Sequence, residues 1–329
     1  MAPEADGFNA LYDGALRASK EGDLERARHL MAQAEATRPE IRRYGHLEGL
    51  LRHRGKNDWH SLYRARLQEY RLISGADAAI ISYPKCGRTW LRAMLGRYLL
   101  NGIPGDPLEV EEICRMDPSL PKLLISHDDY PHWKPWTDVV TDKSLYEGKR
   151  VVFLVRDPKD TLVSYYFQYT KRGDQLQAND PSFSGSMSAF LRHSIGGLRS
   201  LVAFYNAWAQ ARHVPAAFLL LRYEMLLADP LARFAELVRF LRLPEHGIDA
   251  IKDAVNFGAF DNLRALEQND AFFNRRLSPP KDRDPEAYKI RRGKVGGYRD
   301  YLSAADIAYV DDYLRETLDD YYAFYKPGG

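Results

Sequence analysis

The feature that most constrains this chain is a turn that joins a short apolar run to an amphipathic run. Residues 80–91 read Ile-Ile-Ser-Tyr-Pro-Lys-Cys-Gly-Arg-Thr-Trp-Leu, and apolar residues then continue at helical spacing. The pattern predicts a buried strand over 78–83, a tight loop, and a helix over 90–101. Such a turn directs backbone N–H groups and the positive end of a helix dipole at one point, so it predicts an anion site. Lys85 adds a cation and Thr89 a hydroxyl to this candidate phosphate cradle.

The turn does not have the spacing of a Walker A loop. That loop has a glycine, four residues, and then Gly-Lys-Ser/Thr. Here Lys85 precedes Gly87, the only glycine of the turn. A lysine and a glycine also meet by chance at many strand-to-helix turns, so the turn alone leaves its ligand open.

Length and composition describe a globular protein without a strong charge bias. The 329 residues are 45% hydrophobic and 28% charged, with a formal net charge of +2, which suits a large α/β domain plus an appendage. This charge indicates neither a nucleic-acid-binding protein nor a strongly acidic one, so any cationic site has to be local. No apolar run is long enough to cross a bilayer, and the N-terminus lacks the regions of a signal peptide. Two cysteines are too few for a disulfide framework or a metal site, and we expect a cytoplasmic protein.

The first part of the chain has the pattern of a helix pair. Residues 9–39 show two helical runs with Gly22-Asp23 at the turn between them. They resemble one tetratricopeptide repeat, and the stretch that follows, through Gly55, resembles a degenerate second copy. The residues that carry the resemblance are Ala15, Gly22, Ala27, Met31, Ala34 and Pro39. Such repeats usually need about three copies to bury their own faces, so we expect an appendage over 1–72 that packs on the main domain, 73–329, or on a protein partner. A helical appendage without a binding role is the alternative.

From residue 78 onward, strand patterns alternate with helix patterns. Short apolar runs predict strands over 78–83, 122–126, 151–155 and 217–221. The other runs predict helices over 90–101, 157–170, 198–212 and 230–241, with Asp157-Pro158 as the start of the second. The alternation predicts an α/β domain with a P-loop-like parallel sheet flanked by helices. Ligands of such sheets lie beyond the carboxyl ends of the strands.

Two further basic segments have the chemistry of anion sites. Arg156 follows the third predicted strand, and Ser164 lies two turns into the helix after it. A guanidinium beside a helix start suits a phosphate held by a bidentate contact. A surface ion pair of Arg156 with Asp157, or a Walker B strand that holds Mg²⁺, are the other interpretations, although Arg156 would repel a metal. The second segment, residues 289–298, is basic and carries three glycines; alone, it is typical of a solvated loop.

Together, the three segments resemble the signatures of the cytosolic sulfotransferase family, whose donor is 3′-phosphoadenosine 5′-phosphosulfate (PAPS). Tyr-Pro-Lys-Ser-Gly-Thr-Thr-Trp is similar to residues 83–90, and Arg-Lys-Gly-x-x-Gly-Asp-Trp is similar to residues 291–298. An arginine and a serine followed by Tyr-Tyr, with the family's spacing, are matched by Arg156 and Ser164. The resemblance covers about residues 75–325, with the motifs in the family's order.

The resemblance implies a sulfotransferase that moves the sulfuryl group of PAPS by in-line transfer to a hydroxyl or amine of a small molecule, a glycan or a lipid headgroup. It implies that Lys85 neutralises the leaving oxygen. It also makes His127 the general base, because Ile-Ser-His at 125–127 corresponds to the family's Lys-Thr/Ser-His-x-Pro; His132 is the alternative base. The residues that it assigns to the nucleotide are Lys85, Cys86, Gly87, Arg88, Thr89, Trp90, Arg156, Ser164, Tyr223, Val255, Asn256, Phe257, Phe260, Arg291, Arg292 and Gly293. It implies no metal and no nucleic-acid partner.

The chain departs from the family's motifs at three positions. Cys86 stands where serine is usual, Arg88 where threonine is usual, and Ile125 where lysine is usual. Cys86, near a helix start, is a candidate reactive thiol. Backbone N–H groups supply most contacts of such a cradle, so we expect transfer to survive these changes. The family's dimerisation pattern is not evident after the third motif, which leaves the oligomeric state open.

Two other functions remain compatible with the residues alone. A Mg²⁺-dependent nucleotide phosphotransferase needs an acidic metal ligand, and none is clearly placed. A repeat-bearing interaction protein with a degenerate nucleotide site is expected to have lost residues such as Lys85 or His127. For the acceptor, we expect a pocket rich in aromatic side chains, with the segment 265–290 as a mobile lid. The aromatic residues expected there are Trp133, Trp136, Phe167, Tyr169, Phe272 and Phe273.

Overall fold

A computed structural model describes residues 4–37, 71–172, 183–272 and 277–328. The chain divides into two compact units, Met1–Ser74 and Gly75–Gly329. In the first unit, helices α1 (Glu4–Lys20) and α2 (Leu24–Thr37) form a pair joined at a turn. Gly22 allows this turn because its φ is +86°, in the left-handed region that glycine adopts freely.

The facing sides of α1 and α2 are built from small apolar side chains. Ala15, Ala27, Met31 and Ala34 are fully or almost fully buried, as expected where two helices approach closely. The helix pair predicted over 9–39 is therefore present. Its resemblance to a tetratricopeptide repeat stays a prediction, and the second copy predicted through Gly55 lies outside the described residues.

The second unit is built on a four-stranded parallel sheet with the strand order β2-β1-β3-β4. The strands are β1 (Ala78–Ser82), β2 (Leu123–Ser126), β3 (Arg150–Val155) and β4 (Ala217–Arg222). Ile80 of β1 is paired with Ile125 on one side and with Val152 on the other. The central strands β1 and β3 are continuous apolar runs because helices cover both faces of a parallel sheet. Only Arg150, at the start of β3, is partly exposed among their residues.

Helices connect and flank these strands. They are α3 (Arg88–Leu100), α4 (Val110–Met116), α5 (Pro158–Lys171), α6 (Met187–Arg192), α7 (Leu198–Ala211), α8 (Tyr223–Ala228), α9 (Pro230–Phe240), α10 (Gly247–Phe257), α11 (Phe260–Gln268) and α12 (Ala304–Thr317). Short 3₁₀ helices lie at Pro131–Trp133, Trp136–Asp138, Ser144–Tyr146, Pro285–Ala287, Gly297–Asp300 and Asp320–Tyr325. The predicted α/β class and parallel sheet are confirmed, and each predicted strand or helix of this unit is found within two residues of its expected ends.

The strand order creates a crevice between β1 and β3. After β1 the chain forms β2, which pairs with one edge of β1, and it then returns to form β3, which pairs with the other edge of β1. At such a reversal the loops after the two neighbouring strands diverge, and ligands of open α/β sheets bind there, beyond the carboxyl ends of the strands. The loop after β1 carries Lys85, and the loop after β3 carries Arg156.

Candidate functional site

The turn after β1 contains two residues in the left-handed backbone conformation. Lys85 and Gly87 have φ values of +72° and +99°, and Gly87 is the N-cap of α3. A Cβ atom on Gly87 would lie 2.7 Å from Cδ2 of Tyr223, which is closer than two carbon atoms can approach. Glycine at position 87 therefore avoids strain in the left-handed turn, and the packing of the Tyr223 ring on the start of α3 requires it.

Lys85 extends from this turn to helix α5. Its Nζ donates a hydrogen bond to Oε1 of Gln168 at 2.9 Å. Burial, followed by the positive charges of Lys289 and Arg172, lowers the pKa of Lys85 to about 7. A cation in this environment gains stability from any anion placed next to it, because an opposite charge offsets the cost of burial.

Arg156 joins the three motif segments at one point. Its Nη1 donates to the Lys85 carbonyl oxygen at 3.2 Å, and its Nη2 donates to the Lys294 carbonyl oxygen at 3.1 Å. The guanidinium carbon lies 4.4 Å from the ring centre of Tyr223. Its Nε is buried and has no hydrogen-bond partner in the described part of the chain. A buried donor of this kind is costly unless a ligand or water satisfies it.

Asp157 serves as the cap of helix α5. Its carboxylate accepts hydrogen bonds from the backbone N–H groups of Lys159 at 2.8 Å and Asp160 at 3.2 Å, as the sequence predicted. Burial raises the pKa of Asp157 to about 6. The Arg156 guanidinium contacts carbonyl oxygens of other segments. The interpretation of Arg156 and Asp157 as a surface ion pair is therefore wrong.

The third segment is fixed against α5 by its backbone. The N–H groups of Gly296 and Tyr298 donate to the two carboxylate oxygens of Asp160, at 2.7 and 2.8 Å. Arg291 donates to Glu286 at 2.6 Å and to the Tyr301 hydroxyl at 2.7 Å. These bonds place the basic residues of the segment beside the turn that carries Arg156. Residues 292–295 are exposed, so the segment is a solvated loop that is anchored to α5.

His127 directly follows β2, the strand that pairs with β1 on the side away from β3. Its Nδ1 is 2.8 Å from the carbonyl oxygen of Ser82. Because a carbonyl oxygen only accepts, Nδ1 carries the proton of the neutral ring, and the lone pair is left on Nε2. Burial and the neighbouring charge of Arg88, followed by that of His132, hold the pKa of His127 well below its usual value. The His127 ring is therefore neutral near pH 7.

His132 lies next to His127 but in a closed environment. The ring centres are 5.0 Å apart, and the His132 side chain also packs edge-on against Tyr83 and Tyr165. Burial and Arg88 lower the pKa of His132 well below its usual value. Only His127 of the two histidines lines the cavity described next.

These segments enclose a cavity of about 390 Å³, within the size range of ligand pockets. Of the residues predicted for the site, the structure brings together in its wall Lys85, Gly87, Arg88, Thr89, Trp90, His127, Arg156, Ser164, Tyr223, Val255, Asn256, Phe260, Arg291, Arg292 and Gly293. Asp160 and Gln168 also line the cavity, although neither was predicted for the site. Their signal was available, because Gln168 follows Ser164 by one helical turn and therefore shares its face of α5.

Cys86 and Phe257 were predicted for the site but do not line the cavity. The Cys86 side chain points into the core, with Sγ 3.4 Å from the Tyr205 hydroxyl. Burial raises the pKa of Cys86 to about 11, so the prediction of a reactive thiol is wrong. Phe257 packs against a buried apolar cluster and under the guanidinium of Arg97. Replacement of the family's serine by Cys86 leaves the cavity wall unchanged because this side chain faces the core.

The aromatic residues predicted for the acceptor do not line this cavity. Trp133 stacks on Tyr130 with a ring-centre distance of 4.4 Å, and Phe167 packs under the guanidinium of Arg291 at 4.6 Å. The other aromatic residues also pack elsewhere: Trp136 faces the guanidinium of Arg199, and Tyr169 packs against Tyr165 and Phe190. Phe272 belongs to a buried cluster with Ala93, Leu108, Leu263 and Leu277, and its closure as a lid stays a prediction. Phe273 lies outside the described residues.

Within residues 4–37, 71–172, 183–272 and 277–328, no group of His, Cys, Asp and Glu side chains is arranged to hold a metal ion. Over the same residues, no helix has the length and apolar character that crossing a membrane requires.

Comparison with known proteins assigns the family. The family described as "Sulfotransferase domain" matches residues 76–322, which is about three quarters of the chain. The chain belongs to the sulfotransferase family. The predicted activity, PAPS-dependent transfer of a sulfuryl group, is confirmed by this membership.

Several characterised sulfotransferases are similar to this one. Cytosolic sulfotransferase 17 of Arabidopsis thaliana is 26% identical over 270 residues, with 74% of each chain covered. Flavonol 3-sulfotransferase of Flaveria bidentis is 26% identical, covering 74% of this chain and 81% of its own. Amine sulfotransferase of Oryctolagus cuniculus is 23% identical, covering 76% of this chain and 83% of its own.

Two solved structures share the fold. A mouse sulfotransferase complexed with PAP, the nucleotide product of PAPS, superposes with a TM-score of 0.52 at 20% identity, covering 78% of this chain and 92% of its own. Retinol dehydratase in complex with retinol and PAP superposes with a TM-score of 0.51 at 18% identity, covering 78% of this chain and 86% of its own. In both proteins the fold therefore accommodates PAP.

Proposed function

We propose that this sulfotransferase binds PAPS across the crevice between β1 and β3 and sulfates a hydroxyl or amine that is activated by His127. One observation carries the proposal: the guanidinium of Arg156 bonds to the Lys85 turn and to the third basic segment at once. Segments that meet at one side chain are close enough to bind the two ends of one bisphosphorylated nucleotide.

The 5′-phosphosulfate and the 3′-phosphate of the nucleotide bind to different parts of this site. The start of α3 and the turn 85–89 bind the 5′-phosphosulfate through backbone N–H groups and the helix dipole. Arg156, Ser164 and the residues Arg291, Arg292 and Gly293 bind the 3′-phosphate, with Arg156 Nε as a ready donor. The adenine lies near Trp90 and Tyr223, whose rings meet edge to face at 5.5 Å, and near residues 255–260.

The chemistry then requires one base and one cation. His127 Nε2 takes the proton of the acceptor as the acceptor atom forms its bond to sulfur. The bond between sulfur and the bridging oxygen breaks, PAP leaves with the negative charge, and Lys85 stabilises that charge. No metal is needed to neutralise the charge because Lys85, Arg88 and the helix dipole supply positive potential at that point.

The names of the relatives support two further properties, the class of the acceptor and the location of the protein. Relatives named for flavonols and for amines support a small-molecule acceptor with a hydroxyl or an amine, and relatives named as cytosolic support a cytoplasmic location. We further propose that residues 1–72 are a helical appendage distinct from the sulfotransferase domain over 73–329, and that this appendage packs on itself or on a protein partner.

The experiment is a thermal-shift titration with PAP and with ATP, each with and without Mg²⁺. We expect PAP to raise the melting temperature without metal, because ligand bound only to the folded state stabilises it. A shift with ATP alone, and only with Mg²⁺, would instead support a phosphotransferase. A screen of flavonols, other phenols and amines with labelled PAPS then identifies the acceptor class.

A further inference from the structure

A buried ion pair outside the family's motifs holds the third basic segment. Arg172 follows the last residue of α5, and Glu267 lies in the last turn of α11. Their side chains are 1% and 0% exposed, and Nη1 of Arg172 lies 3.1 Å from Oε1 of Glu267. A buried pair is tolerated only where further hydrogen bonds satisfy its remaining donors and acceptors.

The carboxylate side of the pair bonds to the backbone just before the 3′-phosphate residues. Oε1 of Glu267 accepts from the N–H group of Lys289 at 2.8 Å, and Oε2 accepts from the N–H group of Ile290 at 2.8 Å. The next residue in the chain is Arg291. Glu267 thus fixes the backbone from which Arg291, Arg292 and Gly293 extend.

The guanidinium side of the pair bonds to the chain before this segment at two points. Nη1 of Arg172 donates to the Ala287 carbonyl oxygen at 2.7 Å, and Nη2 donates to the Ser278 carbonyl oxygen at 2.9 Å. The two side chains therefore bond to the backbone at positions 278 and 287, before the third segment, and at positions 289 and 290, at its start. A planar guanidinium suits this arrangement because its donors point in fixed directions.

Helix α5 connects this pair to the rest of the site. Ser164, Gln168 and Arg172 follow each other at four-residue spacing and therefore lie along one face. Ser164 and Gln168 line the cavity, and Gln168 accepts the hydrogen bond of Lys85. One face of α5 thus bonds to Lys85 through Gln168 and to the chain just before the third segment through Arg172.

We propose that Arg172 and Glu267 are positioning residues that set the 3′-phosphate-binding residues 291–293 and so give the site its preference for a 3′-phosphorylated nucleotide. The inference rests on the proposed placement of the 3′-phosphate. The pair acts through the backbone of the third segment and does not itself touch the nucleotide.

The test compares two nucleotides that differ only in the 3′-phosphate. Glu267→Asp keeps the charge but shortens the side chain, so one carboxylate no longer reaches Arg172 and both N–H groups. Binding of PAP and of adenosine 5′-phosphate is measured by titration calorimetry. We expect PAP affinity to fall about tenfold and adenosine 5′-phosphate affinity to change less than about twofold, since only charge-assisted contacts to the 3′-phosphate are displaced.

The matched control is Glu111→Asp. Glu111 pairs with the buried guanidinium of Arg92, with 2.6 Å between Arg92 Nη2 and Glu111 Oε1, which lies outside the third segment. It should leave the affinity ratio of the two nucleotides unchanged. Equal losses for both nucleotides in Glu267→Asp would overturn the inference. Wild-type protein that binds both nucleotides equally would overturn the proposed function itself.

A second measurement needs no variant. Amide hydrogen exchange of the wild-type protein should show the N–H groups of Lys289 and Ile290 protected as strongly as those of α5, because a buried carboxylate holds them. In Arg172→Lys, which loses the bonds to the Ala287 and Ser278 carbonyl oxygens, protection at both positions should fall. Exchange in the wild-type protein as fast as at an exposed loop would overturn the inference.

Discussion

Replacement of Gly87 by alanine should damage the nucleotide site more than the fold. A left-handed φ of +99° costs an alanine about 1–2 kcal/mol. The new Cβ would also lie 2.7 Å from Cδ2 of Tyr223, so this ring has to move. The Tyr223 ring packs under the guanidinium of Arg156 at 4.4 Å and beside Trp90 at 5.5 Å. The movement therefore displaces both a phosphate-binding and an adenine-binding side chain.

Gly148 offers a control for the backbone strain alone. Its φ is +73°, and a Cβ there would meet nothing within 4 Å. Both variants should lower the melting temperature by roughly 2–8 °C, from about 1–2 kcal/mol of strain in a domain of this size. PAP affinity should fall about ten- to a hundredfold in Gly87→Ala only, because a charge-assisted hydrogen bond is worth about 1.5–3 kcal/mol.

Differential scanning fluorimetry and titration calorimetry on the two variants measure these effects. Gly87→Ala with wild-type affinity for PAP would refute the claim that Tyr223 and Arg156 depend on a glycine at the turn. Equal loss of affinity in Gly148→Ala would show that strain anywhere in the domain, rather than contact with Tyr223, weakens the site.

Three further predictions concern the reaction and the buried charges. His127→Ala should lower kcat about 10²–10⁴-fold with PAP affinity unchanged, and full activity of the variant would contradict the role of His127 as base. Because the pKa of His127 is depressed, the kcat of the wild-type protein should not fall between pH 8 and about 6.5. PAP affinity should decrease by up to about tenfold per pH unit as the pH rises above about 7, where Lys85 of the free protein loses its proton. Calorimetry on Lys85→Met should show that this pH dependence is removed. A dependence that persists in the variant would exclude Lys85 as its source. The buried side chains of Lys143 and Asp128 form an ion pair at 2.6 Å. Asp128→Asn should lower the melting temperature by about 6 °C or more, because an uncompensated buried charge on Lys143 costs about 3–5 kcal/mol. A melting temperature within about 2 °C of that of the wild type would contradict this prediction.

The elements that carry the site could be predicted because their signals are local. The apolar run before Lys85 and the helical spacing after Thr89 lie within a few residues of each other and define β1 and α3. Asp157 and the proline after it likewise identify the start of α5, and the structure confirms the cap. The order of the motifs then places both turns at the same edge of a parallel sheet.

The orientation of individual side chains could not be predicted in the same way. Cys86 lies between two residues of the cavity wall, yet its side chain enters the core. Arg172 and Glu267 are 95 positions apart, and no periodicity or motif predicts that they meet. The sequence likewise did not indicate that Phe272 packs in an apolar cluster with Leu108 and Leu263. In each case the tertiary packing decides, and a local pattern does not contain that information.

The most direct test of the account is a crystal structure of the protein with PAP. The account predicts one nucleotide across the crevice, with its 5′-phosphate on the turn from Lys85 to Thr89 and its 3′-phosphate within hydrogen-bond distance of Arg156 and Ser164. It also predicts that Nζ of Lys85 has left Gln168 for the 5′-phosphate. A nucleotide bound elsewhere, or one whose 3′-phosphate points to solvent away from Arg156, would contradict the account.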